Sequence, residues 1–287
     1  MDDLDEYLEY VDEQFLKSDD DGRIALDSFY FSIDQKNIPT DPYSSEYHQY
    51  QMQLYSSISG RDIYSIKNEE SVFDYESIKD SPFPYYTKSA STVGDQLLAI
   101  GYIIKKTNIP ANSNIIEFGP GWGNLTITLA QMGHNVTCVE VEKRFTELIA
   151  YRARSIGKDV TIINQDMLEF LKNTDKKFDA VIFYESFHHC HNPIELVKNL
   201  SNILSKEGII CFASEPIVNS SIIDIPYPSW GIRLDGMSIW SIRKFGWMEL
   251  GFITGFFQEL LLNNGFVSSD YISDVSPLTH LIIAKKK

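Results

Sequence analysis

Cysteine is scarce in this sequence: three in 287 residues, Cys138, Cys190 and Cys211. An odd count with no Cys-x-x-Cys spacing argues against a disulfide framework and supplies no zinc-ribbon or redox pattern. All three lie in or beside apolar runs, such as 135–140 and 209–213, where they read as reduced core thiols of a cytosol-like compartment. Long apolar stretches are missing too, so nothing matches the ~18 residues of a membrane-crossing helix. The opening Met1-Asp2-Asp3-Leu4-Asp5 is the reverse of a basic signal-peptide start. A cytoplasmic protein without membrane insertion is expected. Positive charge is short as well: 25 Lys and Arg face 40 Asp and Glu, a net charge of −15. Residues 1–80 carry 20 acids and 6 bases, so nearly all of the deficit sits there. No basic stripe is left for counterion-release binding to nucleic acid, and Lys285, Lys286 and Lys287 read as a solvated tail.

What is present is ordinary globular material, 43% hydrophobic and 23% charged. The length suggests about two domains, or one α/β domain with additions. Leu4, Leu8, Val11 and Phe15 recur at helical spacing. The run Ser18-Asp19-Asp20-Asp21-Gly22 imitates a calcium loop. Counting from Gly22 as its sixth position puts Lys17 first and Ser28 last, where Asp and Glu belong. A solvated turn is expected there instead. Residues 37–90 are rich in Pro, Tyr and Ser, with Pro39, Pro42, Pro82 and Pro84 among them. They read as short helices and irregular segments over a core.

From residue 93 the pattern alternates between helix and strand. Val93, Leu97, Leu98, Gly101 and Ile104 give the first helical stripe. Strands are expected at 114–118, 136–141, 160–164, 178–184, 208–213, 266–272 and 278–284. Helices are expected at 124–132, 144–155, 193–204 and 256–262. Such alternation means a parallel sheet with crossovers, while the short link between the final two strands makes them antiparallel. Residues 216–250 break the rhythm with Pro226, Pro228, Trp230, Gly231, Trp240 and Trp247.

The segment Glu117-Phe118-Gly119-Pro120-Gly121-Trp122-Gly123-Asn124 runs from a buried strand through three alternate glycines into a helix. Glycines let the backbone turn tightly and approach a ligand closely, and the helix start offers unpaired N–H groups. The nicotinamide pattern Gly-x-Gly-x-x-Gly fails, because Asn124 or Thr126 stands at its third glycine. The phosphate-loop pattern is absent as well. Glu140, at the end of the next strand, is placed to accept both hydroxyls of a ribose.

These residues resemble the class I S-adenosylmethionine (SAM) methyltransferases, closely over 93–215 and more loosely over 251–287. The resemblance implies a Rossmann-like α/β fold, with a seven-stranded, mostly parallel sheet and an antiparallel last strand. It implies that Glu117, Gly119, Pro120, Gly121, Gly123 and Asn124 wrap SAM, with Glu140 and Val141 at its ribose. Asn164-Gln165-Asp166-Met167 looks like the family's third motif, which makes Asp166 and Met167 the adenine contacts. The strand ending in Tyr184-Glu185 looks like the fourth, where substrate and cofactor meet. Pro84-Tyr85-Tyr86, Thr92–Gln96 and Trp230–Gly236 resemble segments of methyltransferases from bacterial glycan-assembly clusters.

Methyl transfer is a displacement governed by positioning, and a hydroxyl acceptor must also lose a proton. His188 and His189 follow the fourth strand, where His189 is expected either as a base or acceptor-orienting residue, or as one of a pair that packs and hydrogen-bonds at the strand–helix junction. Glu215 is expected to orient the histidine or bind an acceptor hydroxyl, or else to cap a loop. Glu185, His188, His191 and Glu215 could ligate a metal, but neighbouring histidines rarely converge on one ion, so none is expected. The expected layout is an acidic helical extension over 1–90 and a methyltransferase domain over 91–287 with a lid at 216–250. Its aromatic residues either grip a sugar or dock the segment onto the core or a second subunit, as in a homo-oligomer. The expected reaction is O-methylation of a small-molecule or carbohydrate acceptor in glycan biosynthesis. N-, carboxyl- or C-methylation of a secondary metabolite is the first alternative. A SAM-binding regulatory or scaffold protein is the second.

Overall fold

The computed structural model describes residues 2–70, 73–79 and 89–287. Pro82 and the Pro84-Tyr85-Tyr86 string fall outside these residues. Along the chain come α1 (Asp2–Lys17), α2 (Asp19–Asp27), α3 (Ser45–Ser59), α4 (Tyr75–Ile78) and α5 (Ala90–Thr107). Then follow β1 (Asn114–Phe118), α6 (Asn124–Gln131), β2 (Asn135–Glu140), α7 (Lys143–Ser155), β3 (Thr161–Asn164) and α8 (Met167–Asn173). Next are β4 (Phe178–Tyr184), α9 (Pro193–Leu200), β5 (Leu204–Ala213), β6 (Ile217–Val218), β7 (Trp230–Ile232) and α10 (Gly236–Lys244). The last are β8 (Leu250–Ile253), α11 (Thr254–Asn263), β9 (Phe266–Ile272) and β10 (His280–Lys286). No helix among the described residues is long and apolar enough to cross a membrane.

The chain divides into two compact units, one joining Met1–Glu69 to Ile217–Phe256 and the other joining Glu70–Pro216 to Phe257–Lys287. This differs from the expected division at residue 90, because the N-terminal helices and the expected lid share one unit.

In the second unit, seven strands form one sheet in the order β3-β2-β1-β4-β5-β10-β9. The first five are parallel, and β10 runs antiparallel to both β5 and β9. Ile115, Ile116 and Phe118 of β1 and Val181, Ile182 and Phe183 of β4 are fully buried, as strands covered on both faces must be. Phe118, Phe183 and Phe212 occupy matching registers of β1, β4 and β5 and stack at 5.1 and 5.3 Å. Phe187 meets Phe183 and Phe212 edge-on at 5.5 and 5.0 Å, which pins the turn beyond β4 to the sheet. The expected stripe on α5 is corrected. Leu97 and Leu98 are exposed, and the buried face is Gln96, Ala99, Ile100 and Ile103.

The first unit has a sheet of its own, β6-β8-β7, with β6 and β7 inside the segment read as an insertion and β8 at and just past its end. Its core is aromatic: Tyr47, Tyr55, Tyr227, Trp230 and Phe252 are all at most 1% exposed. Tyr47 donates its hydroxyl to the Trp230 carbonyl, and Trp230 Nε1 donates to Pro42 O at 3.1 Å. Tyr227 and Trp230 therefore pack within their own unit. Gly231 is required by that packing, since a Cβ there would lie 2.5 Å from the Tyr227 ring and 2.7 Å from Gln51 Nε2. Part of the N-terminal acid has local partners: Arg243 pairs with Asp5 at 2.8 Å and Lys244 with Asp12 at 2.6 Å. The expected turn at 19–22 is helix α2, whose N-terminus Ser18 caps by accepting from Asp21 N at 3.0 Å. Acidic residues in a first turn suit the positive end of a helix, and Leu26 buries beside Val11.

Candidate active site

The sheet order reverses direction between β1 and β4, the switch point where open α/β sheets hold ligands beyond their strand ends. A cavity of about 360 Å³ lies there. Of the expected site residues, Glu117, Gly119, Pro120, Gly121, Asn124, Tyr184, Glu185, His188 and His189 line it. Gly123, Glu140, Val141, Asp166, Met167 and Glu215 do not belong to its lining.

The loop after β1 has positive φ at Gly119, Gly121 and Gly123, at 61°, 50° and 76°. A Cβ at Gly119 would lie 2.7 Å from Ser186 Cβ, and one at Gly123 2.6 Å from Ile149 Cγ1. These two glycines let chain segments meet. At Gly121 nothing lies within 4 Å, so a Cβ there would enter open space. Trp122 fastens the loop, 5.1 Å from both Phe73 and Phe145. Arg152 adds a bond to Asn124 Oδ1 at 2.8 Å and another to the Trp122 carbonyl.

Three buried carboxyls, Glu117, Glu140 and Glu215, and the half-buried Glu185 lie at or just beyond the ends of β1, β2, β5 and β4. Glu117 accepts from Thr126 Oγ1, and burial pushes its carboxyl to about 7, with the charge of Glu140 adding to the effect. Glu140 accepts from Gly121 N at 3.0 Å and from Glu142 N at 2.9 Å. Burial takes it to about 7 as well, against those two amides. Glu185 holds φ = 51°, a left-handed conformation rare for a residue with a Cβ. Its Oε2 accepts from Gln96 Nε2 at 3.0 Å, while Gln96 Oε1 accepts from the Tyr184 hydroxyl. Burial raises the Glu185 carboxyl above the ordinary range.

Glu215 behaves oppositely. Its Oε1 accepts from Ser186 N at 2.9 Å and Phe187 N at 2.8 Å. Its Oε2 accepts from His188 N at 3.1 Å and lies 2.8 Å from His188 Nδ1. Burial alone would push this carboxyl up, but the His188 ring and the amides outweigh it and hold it below the ordinary range. Of the two histidines, it is therefore His188 that Glu215 holds. The His189 ring stands 4.3 Å from that of His188 and borders the cavity. Asp166 caps α8, accepting from Glu169 N at 2.9 Å, and the Val141 carbonyl accepts from Asn164 Nδ2 at 2.7 Å.

Gln96, Trp122 and Leu125 also line the cavity and were not among the expected site residues. The signal for Gln96 was a polar side chain in register with Ala99, Ile100 and Ile103, visible once the buried stripe of α5 is correctly placed.

Residues 116–212 match a family model described as a methyltransferase domain. The chain is 32% identical over 171 residues to ribosomal RNA small subunit methyltransferase A of Macrococcus caseolyticus, covering 58% of this chain and 54% of that protein. It is 22% identical over 121 residues to a ubiquinone biosynthesis O-methyltransferase of Actinobacillus pleuropneumoniae, covering 41% and 52%. The chain spans between 21% and 54% of the length of such curated relatives. Among solved structures, a candidate O-methyltransferase from Nostoc punctiforme aligns with a TM-score of 0.52 at 16% identity, covering 68% of this chain and 59% of that one. Residues 116–212 are thus similar to a methyltransferase domain, and the strand order together with the Nostoc likeness shows the Rossmann-like class I fold.

Proposed function

We propose that this protein is a SAM-dependent methyltransferase whose acceptor is a hydroxyl of a small molecule or carbohydrate. The observation that carries this reading is the glycine loop of β1, which borders a cavity at the switch point with Glu140 bound to the Gly121 amide. The residues present fit SAM. Gly121 leaves open a cradle that a Cβ would fill, and ionisable carboxyls suit a ligand bearing ammonium, sulfonium and ribose hydroxyls. When bound, SAM supplies a methyl group on a positively charged sulfur.

The chain's own residues then have separate tasks. Glu117 and the loop from Gly119 to Asn124 hold the amino-acid portion, and Glu140 accepts from the ribose hydroxyls. Asp166 and Met167 bound the adenine. His189 takes the proton of the acceptor hydroxyl, on a turn that Phe187 and the Glu215–His188 pair keep in place.

The ribosomal RNA relatives favour a second reading, with ribosomal RNA as acceptor. The charge opposes it: at −15, the protein has no basic stripe to neutralise phosphates. The test is methyl transfer from labelled SAM to sugar nucleotides, oligosaccharides and ribosomal RNA side by side. Transfer to a sugar hydroxyl, lost in His189→Ala with the S-adenosylhomocysteine (SAH) affinity intact, supports the proposal. Transfer to RNA alone overturns the acceptor assignment, and a fully active His189→Ala overturns the role of His189.

A further inference from the structure

Glu185 is not needed by the loop that holds the proposed cofactor. Glu117 belongs to β1, the glycines to the loop that follows it, and Glu140 to β2, on one side of the switch point. Glu185 directly follows β4, on the other side, and lines the same cavity. Its backbone is held at φ = 51°, with its amide bonded to Ala213 O at 3.0 Å. A glycine would take that conformation without strain, so a carboxyl-bearing residue there costs stability that the fold bears for another reason. The side chain is also aimed. Gln96 donates to it at 3.0 Å, and the Tyr184 hydroxyl occupies the Gln96 carbonyl oxygen, which fixes the amide with its N–H toward Glu185. An amide locked this way delivers one carboxyl rotamer into the cavity.

We infer that Glu185, aimed by the Gln96–Tyr184 pair, faces the sulfur-bearing centre and makes the site discriminate between cationic SAM and neutral SAH. This rests on the methyltransferase reading and deepens it. A carboxylate beside the sulfonium gains a charge partner, and that partner is lost when the sulfur becomes a thioether. The same side chain therefore favours uptake of the substrate form and departure of the product form. Gln96 is a positioning residue, acting only through Glu185.

The test needs no acceptor. SAM and SAH are titrated calorimetrically into the full chain and into Glu185→Gln, Glu185→Asp and Gln96→Ala. Loss of one partner from a desolvated charge pair predicts that Glu185→Gln weakens SAM by roughly tenfold or more, with SAH changed by less than about threefold. Glu185→Asp should recover part of the SAM affinity, and Gln96→Ala should fall between the parent and Glu185→Gln. Equal weakening of both ligands would overturn the inference, because Glu185 would then touch a portion common to both. No change in either would overturn it too. Failure of the unsubstituted protein to bind either ligand would instead defeat the methyltransferase reading itself, so the two failures are separate results.

Discussion

The Glu215 carboxylate holds His188 twice, with one oxygen 3.1 Å from the His188 amide nitrogen and 2.8 Å from Nδ1 of its ring. The other oxygen accepts from the amides of Ser186 and Phe187. One buried side chain thus satisfies three successive backbone donors in the turn beyond β4. That turn presents His189 to the cavity, so the geometry of the proposed base depends on Glu215.

Removing this acceptor should be costly. Glu215→Ala leaves three amides and a histidine ring without it, and an expected loss on the order of 3 kcal/mol should appear in urea unfolding. Glu215→Gln keeps one accepting oxygen and should lose less. A Glu215→Ala protein within about 0.5 kcal/mol of the parent would refute the account of the turn.

Glu117 should make the protein pH-sensitive. Its carboxyl ionises near 4.5 when exposed and near 7 when folded. Between those values the unfolded chain has lost the proton and the folded chain has kept it, so this group's contribution to stability falls as pH rises from about 4.5 to about 7. Glu117→Gln removes that dependence. Its stability relative to the parent should rise with pH through this window, by up to roughly 3 kcal/mol at pH 8. A difference that stays constant from pH 5 to about 8 would contradict the assignment.

Gly121 and Gly123 should separate binding from folding. Alanine at either position is strained by positive φ, by about 1 kcal/mol. At Gly123 the new Cβ also meets Ile149 at 2.6 Å, so Gly123→Ala should melt at the lower temperature. At Gly121 the Cβ enters open space at the cavity, so Gly121→Ala should stay folded and bind SAH roughly tenfold or more weakly. Parent-like SAH affinity in Gly121→Ala would remove that loop from the site.

Tyr227 offers a check on the first unit. Its hydroxyl is buried with no hydrogen-bond partner among the described residues, and burial pushes its phenol far above the ordinary range. Tyr227→Phe should therefore be neutral or stabilising by up to about 1 kcal/mol in thermal unfolding. A loss of similar size would mean that the hydroxyl carries a bond in solution.

Much of the sheet was legible because its signals are local. Ile115-Ile116 and Val181-Ile182-Phe183 are continuous apolar runs bounded by turn residues, and the alternate glycines mark the loop after β1. The stripe of α5 was misread because a buried polar residue, Gln96, occupies it while Leu97 and Leu98 face outward. Hydropathy alone cannot report a polar group satisfied by Tyr184 and Glu185, residues almost ninety positions away. The union of residues 1–69 with 217–256 was hidden for a similar reason. It rests on bonds between distant segments, such as Trp240 Nε1 to Asp12 at 2.9 Å and Ile232 N to Gln51 Oε1 at 2.9 Å. The run 18–22 is expected as a turn because its acids fit one; Ser18 instead caps α2, and the burial of Leu26 beside Val11 holds that helix in place.

The central claim is that the cavity beyond β1 and β4 is a SAM site. The most direct test is calorimetric titration of SAH into the purified protein, with NAD as the control. The account predicts micromolar binding of SAH and none of NAD. Binding of NAD, or of neither compound, would contradict it.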